Sequence, residues 1–214
     1  MGGQIRLVGH IISLLLKFAL FALFIWSIYR REYIWALGCL LSLLVCLIPT
    51  ILKRRWKIHL PIELELLIVL ALFLHSGGGA LNAYRNIPGW DHITHFLSTV
   101  VIALIGFILM AIIDAYTPEI KFNTPLLIFF IIIFSLAMGV IWEFFEFVSD
   151  LLFGTHAQLN NTDTMLDLFF DFIGGIIVAI PGAIYLQHTT PERFGMELGE
   201  EMGLKIKKGK SEKR

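Results

Sequence analysis

Charge is what this chain has least of. Lys, Arg, Asp and Glu make up 16% of its 214 residues, where a soluble domain carries about 25%. Apolar residues take 57%, above the usual 45–50% or so. The excess lies in long runs, so the chain is read as a membrane protein, and no soluble domain of any size is left over. Cysteine is also scarce. Cys39 and Cys46 sit in one apolar run, about two helical turns or roughly 10 Å apart, too far to bridge. A disulfide framework and a zinc finger are therefore excluded, and both cysteines read as small buried apolar residues. No internal repeat is evident. Net charge is zero, and no nucleic-acid partner is expected.

What is present is a set of apolar runs. Ile11–Tyr29 is long enough to cross about 30 Å of hydrocarbon. It lacks a small-residue cleavage motif and ends in Arg30-Arg31, so it reads as a retained span. Ile34–Leu52 is the second span and Pro61–His75 a short third. Ser76 to Gly89 is punctuated by Gly77-Gly78-Gly79 and Pro88-Gly89, and is expected to break the helix. His92–Ile113, Pro125–Leu152 and Thr164–Leu186 follow. Asp163 or Thr162 is the expected N-cap of the sixth span. Gly174-Gly175 and Pro181-Gly182 are places where that helix thins or kinks.

The fold class is thus all-α, a polytopic membrane bundle of six transmembrane helices. Residues 1–190 form the six-span domain and 191–214 a polar basic tail. Six spans put both ends on one side. That side carries 14 of the 17 Lys and Arg, leaving Arg30, Arg31 and Arg85 on the other. The excess of basic residues places the N- and C-termini in the cytoplasm. The Lys53–Lys57 cluster and the tail also offer charge to anionic headgroups, although a topology signal alone explains them.

With that orientation, ionisable residues from four separate segments meet at the outer face. Span four begins Asp91-His92-Ile93-Thr94-His95. Span five ends with Glu143, Glu146 and Asp150. Span six begins with Asp163, Asp167 and Asp171, and the Gly-rich segment adds His75 and Arg85. His92, His95 and Thr99 share one helix face, as do Glu143 and Glu146. Asp163, Asp167 and Asp171 form one stripe at i, i+4, i+8. Each step along it goes about 6 Å deeper.

Acids in a span are costly and mark function by default. Several carboxylates this close need a shared proton or a cation. Oxygen-rich ligation with imidazole suits Mn, Fe or Zn, and His95, Glu143, Glu146 and Asp167 are the expected ligands of a divalent metal ion. A proton-sharing carboxylate pair is the metal-free alternative. Plainer readings stand beside these. Asp163 also reads as a helix cap, Asp150 as a solvated helix end, and Asp114, Glu63 and Glu65 as interfacial solvating charges.

These residues resemble the YjdF-like family of polytopic membrane proteins, and more distantly VanZ-like proteins. The matching elements are His75 with Gly77–Gly79 and Tyr84, Asp91-x-x-x-His95-Phe96, Trp142-Glu143-x-x-Glu146, and Asp163-Thr164-x-x-Asp167 with Gly174. They cover residues 75–175. The resemblance favours Asp91, His95, Glu143, Glu146, Asp163, Thr164 and Asp167, and all of these but Thr164 form the expected catalytic set. It demotes His92 and Asp171, which it leaves unmatched. In a metal site built on these residues, Asp91 is expected to orient His95 or to support the ligands from behind. The resemblance brings no established reaction, but the envelope association of VanZ-like proteins points to lipid or lipid-linked substrates. The expected function is a metal-dependent hydrolase or transferase at the outer leaflet, with membrane lipids as surroundings. A cation- or proton-coupled transporter and a non-catalytic assembly protein are the alternatives.

The orientation is directly testable. A cysteine replacing Arg85 in a Cys39→Ala, Cys46→Ala background is expected to react with a membrane-impermeant maleimide on intact cells. One replacing Lys57 is expected to react only after lysis. The reverse pattern inverts the topology.

Overall fold

Six of the helices are long and apolar enough to cross a membrane: Arg6–Tyr29, Tyr33–Trp56, Ile62–Ala80, Trp90–Tyr116, Thr124–Phe153 and Asn161–Tyr185. The computed structural model describes residues 2–117, 119–120, 122–186 and 188–204. Among them there is no strand. The elements are α1 (Gly2–Tyr29), α2 (Tyr33–Cys46), α3 (Ile48–Ile51), α4 (Ile62–Leu72), α5 (Gly78–Ala80), α6 (Ala83–Asn86), α7 (Trp90–Tyr116), α8 (Thr124–Phe153), α9 (Asn161–Tyr185) and α10 (Pro191–Glu201). Their outer faces are apolar: Leu14, Phe18, Leu151 and Phe153 are each about 70% exposed. In water such surface would aggregate, whereas in a bilayer it is solvated by lipid tails. The chain is a multi-pass membrane protein.

The chain divides into two compact units, Met1–Thr94 and His95–Arg214. In the first, α1, α2 and α4 pack around Leu20, Cys39, Cys46, Val69 and Ala80. Both cysteines are free and buried. The expected helix break at Ser76 does not occur. A π turn over Phe73–Gly77 carries α4 directly into α5, and only then does the chain loosen into α6. The reason is packing. A Cβ on Gly78 would overlap the Trp90 indole, and one on Gly79 would overlap the Trp35 ring. These glycines admit two indoles against a helical backbone rather than ending it. Trp35 in turn stacks on Tyr84 at 5.6 Å between centroids, and the Tyr84 hydroxyl lies 2.7 Å from His75 Nδ1.

In the second unit α7, α8 and α9 pack around Ala103, Phe107, Met110, Leu127, Ile131, Val178 and Ala179. Small residues set how close they come. A Cβ on Gly174 would stand 3.0 Å from the Phe96 carbonyl oxygen, and one on Gly175 3.2 Å from Ser135 Oγ. Ser135 returns its hydroxyl to the Ile131 carbonyl at 2.6 Å, so it adds no unsatisfied polarity to the seam. Helix α9 runs on through Pro181. At the far end Asp114 is buried, not interfacial and solvated as expected, and accepts the Phe122 amide at 2.7 Å. It ties down the turn between α7 and α8. The tail begins as α10, whose Phe194 lies 5.4 Å from Phe107. The basic cluster from Lys205 onward lies outside the described residues.

The indole–glycine contact makes a stability prediction. Gly79→Ala is expected to cost about 1–3 kcal/mol through overpacking. Combined with Trp35→Ala it should cost clearly less than the sum of the single changes. Unfolding of the purified protein in mixed detergent measures both, and simple additivity would refute the contact.

Candidate functional site

Three buried side chains from three helices converge inside the second unit. His95 comes from the first turns of α7, Glu143 from the last third of α8 and Asp167 from the second turn of α9. Their exposures are 6%, 4% and 1%. One ligand atom from each lies within 4.8 Å of the other two. His95 Nε2 and Glu143 Oε1 are 3.9 Å apart, beyond hydrogen-bond reach. Glu143 Oε1 is buried without a hydrogen-bond partner among the described residues.

The remaining expected residues extend this centre. Half-buried Glu146 offers a carboxylate oxygen within 4.8 Å of a His95 ring nitrogen, and accepts the Trp142 indole N–H at 2.9 Å. Asp163 offers one within 4.8 Å of Asp167. Asp91 lies one turn before His95 on α7 and is half-buried; it belongs to the first unit.

Asp163 is not the N-cap of α9. That position is held by Asn160, whose side chain accepts the amides of Thr162 and Asp163 at 2.9 and 3.2 Å. Asp163 reaches back to the Leu159 amide at 3.3 Å. Asn160 thus caps the helix amides while Asp163 holds the residue just before the cap. This fixes the first turn of α9, and with it the direction of Asp167 one turn on.

Asp171 gains the importance that the family resemblance denied it. It is 1% exposed. Its carboxylate lies 3.4 Å from His95 Nδ1 and accepts the Thr99 hydroxyl at 2.5 Å. A Cβ on Gly139 would overlap its Oδ2, so glycine there makes room for it. A carboxylate at Nδ1 fixes the imidazole tautomer and aims Nε2 the other way, toward Glu143. Asp171 thus occupies the Nδ1 side of His95. The sequence did hold a signal: Asp171 continues the i, i+4 stripe, and Thr99 follows His95 at i+4.

Gln158 carried no such signal. Its side-chain amide donates to Glu143 Oε2 at 2.7 Å and to the Glu143 carbonyl at 3.2 Å. What brings it there is Asp150, expected as a solvated helix end. Helix α8 ends at Gly154 with φ +62, a left-handed turn that glycine adopts without strain. The loop then folds back over Asp150, which accepts the Thr155 hydroxyl and the amides of Ala157 at 2.6 Å and Gln158 at 2.9 Å. Asp150 organises the loop, and the loop delivers Gln158 to Glu143.

The electrostatics are one-sided. Between His95 and Leu186 the only Lys or Arg in the sequence is Lys121, which lies outside the described residues. The helices that carry Glu143, Asp167 and Asp171, α8 and α9, contain no Lys or Arg, and neither does α7, which carries His95. Carboxylates this close favour a shared proton or a cation.

Comparison with known proteins places the chain in a group. The family model described as "Predicted membrane protein (DUF2238)" matches residues 12–188. A protein of Thermotoga maritima, named only "Uncharacterized protein", is 31% identical over 152 residues, which is 70% of this chain and 77% of that one. No solved structure matches. The chain belongs to the DUF2238 family.

The loop gives the site's prediction. Asp150→Ala is expected to raise amide exchange at Ala157 and Gln158 about tenfold or more, since local opening controls exchange in such loops. Gln158→Ala should leave the Ala157 amide protected. Unchanged exchange in Asp150→Ala would show that the loop is held by something else.

Proposed function

We propose that this member of the DUF2238 family binds a divalent metal ion through His95, Glu143 and Asp167, with Glu146 beside them. We further propose that it hydrolyses or transfers a lipid or lipid-linked group at the extracytoplasmic face. One observation carries the reading: two carboxylates and an imidazole, all buried, lie within 4.8 Å of one another. Ligands of a single ion bound at about 2.0–2.2 Å lie roughly 3–4 Å apart. The 3.9 Å between His95 Nε2 and Glu143 Oε1 falls in that range. The partnerless Glu143 Oε1 supports the same reading, because a buried carboxylate oxygen without a donor is costly. The donor set of one imidazole and several carboxylates suits Zn, Mn or Fe.

A bound ion would supply Lewis acidity and lower the pKa of a water molecule. The chain's own residues do the rest. Asp171 and Thr99 hold His95 with Nε2 facing the ligand set. Gln158 holds one oxygen of Glu143 so that the other points to the centre. Half-buried Glu146 lies at the more open edge, where a carboxylate can take a proton from an attacking nucleophile. The exposed phenyl groups of Phe144, Phe145 and Phe147 flank Glu143 and Glu146 on α8. They hold the site at lipid-accessible depth, which suits a substrate that stays in the leaflet. The VanZ-like resemblance points to the same class of substrate.

Elemental analysis of the purified protein tests this. The wild type is expected to carry a stoichiometric divalent ion, and Glu143→Gln and Asp167→Asn to lose it. Asp171→Asn is expected to keep the site but weaken the ion's affinity about 10–100-fold, as changes to groups that orient a metal-binding histidine do. A wild type that takes up no metal under any supplementation would overturn the metal reading. Cation flux in liposomes that vanishes in Asp167→Asn would move the same residues to transport.

A further inference from the structure

A second polar constellation, of opposite sign, lies in the first unit. A cleft of about 510 Å³ opens at the end of α1, α2 and α4 that the basic residues occupy. His10 from α1, Lys53 and Arg54 from the π turn over Leu52–Trp56, Lys57 and His59 from the following loop, and Glu65 from α4 line it. The acid is already neutralised: Glu65 accepts Lys17 Nζ at 2.7 Å and the Ser13 hydroxyl at 3.2 Å. Three permanent cations and two imidazoles therefore face one void with no free counter-charge in its lining.

A topology signal needs only a count of basic residues near the span ends. It does not need them to converge. Here the stretch from Lys53 to His59 turns four donors onto one cleft, and His10, more than forty residues earlier, adds a fifth. Lys57 takes part because the chain turns there through a left-handed residue, φ +61. Arg55, the neighbour that does not line the cleft, lies over the Trp56 ring at 5.4 Å instead. Trp56 is 56% exposed, and an exposed Trp at a span end marks headgroup depth.

We propose that this cleft is a binding site for phosphate oxygens, held by Lys53, Arg54 and Lys57 with His10 and His59 as further donors. Clusters of Lys and Arg at helix ends select anionic lipid headgroups in this way, and guanidinium pairs with phosphate through two parallel hydrogen bonds. Both a phospholipid headgroup and a soluble phosphate present those oxygens. The depth of Trp56 favours the lipid.

Native mass spectrometry of the full chain, titrated with phosphatidylglycerol and separately with phosphatidylcholine, tests the site. The wild type is expected to retain phosphatidylglycerol preferentially. The Lys53→Gln, Arg54→Gln, Lys57→Gln variant should bind it about 125-fold more weakly, at about fivefold per charge removed. All three residues are exposed, so the variant keeps its core, and an unchanged melting temperature checks this. Arg55→Gln removes a charge at the same depth from outside the cleft and should cost less than Arg54→Gln. Displacement of the lipid by millimolar inorganic phosphate would assign the cleft to a soluble phosphate, and resistance to it to the headgroup. Equal retention of the two lipids with no binding of phosphate, or equal losses in Arg54→Gln and Arg55→Gln, would overturn the proposal.

Discussion

Burial of carboxylate in an apolar bundle is the constraint on which the second unit depends. Placing an ionised Asp at the centre of a span costs about 2.5–3.5 kcal/mol on insertion scales. Glu143, Asp167 and Asp171 are each at most 4% exposed. Nearer a span's end the cost is smaller, but three buried acids in one bundle still need compensation. Hydrogen bonds from Thr99 and Gln158 offset part of this. His95 Nδ1, 3.4 Å from Asp171, adds to them.

The cost is tolerable only because the helices approach closely enough for the groups to share neighbours. Gly139 gives Asp171 its place against α8, and Gly174 lets α9 meet α7 beside Phe96 and Thr99. Without lipid-excluded apolar area to drive them together, membrane helices rely on such small-residue seams. The same residues that set packing therefore set the geometry of the polar centre. In the first unit Gly78 and Gly79 do the equivalent for two indoles, and there the product is a stacked aromatic cluster rather than a charged one.

The six spans and the convergence of His95, Glu143, Glu146 and Asp167 were legible in the sequence, because hydrophobic run length and helical spacing are local properties. The glycines misled. Gly77–Gly79 read as a break, since nothing local distinguishes a flexible glycine from one that an indole packs upon. Asp114 and Asp150 read as solvated for a similar reason: what they bind is backbone, and amide N–H groups leave no mark in the residue pattern. Gln158 was invisible because its place depends on a loop that Asp150 folds. Asp171 lay on a readable stripe, but the family comparison outweighed the spacing that pointed to it.

What neutralises the centre decides its chemistry, and the geometry bears on the choice. A proton on Glu143 would sit on Oε1, because Oε2 already accepts from Gln158. A carboxyl hydroxyl needs an acceptor at about 2.5–3.0 Å, and His95 Nε2, at 3.9 Å, is too far to be it. Asp171 at Nδ1 leaves Nε2 directed toward that same oxygen, so the two atoms face each other across a gap too wide for a proton and suited to an ion. A structural cluster serving only to hold helices together would gain more from a Lys or Arg than from a third buried acid, and α7, α8 and α9 supply neither within the bundle. The proposed cation site and a cluster that only joins helices therefore differ in what they ask of that gap: the first needs it open to an ion, the second needs it closed by a hydrogen bond.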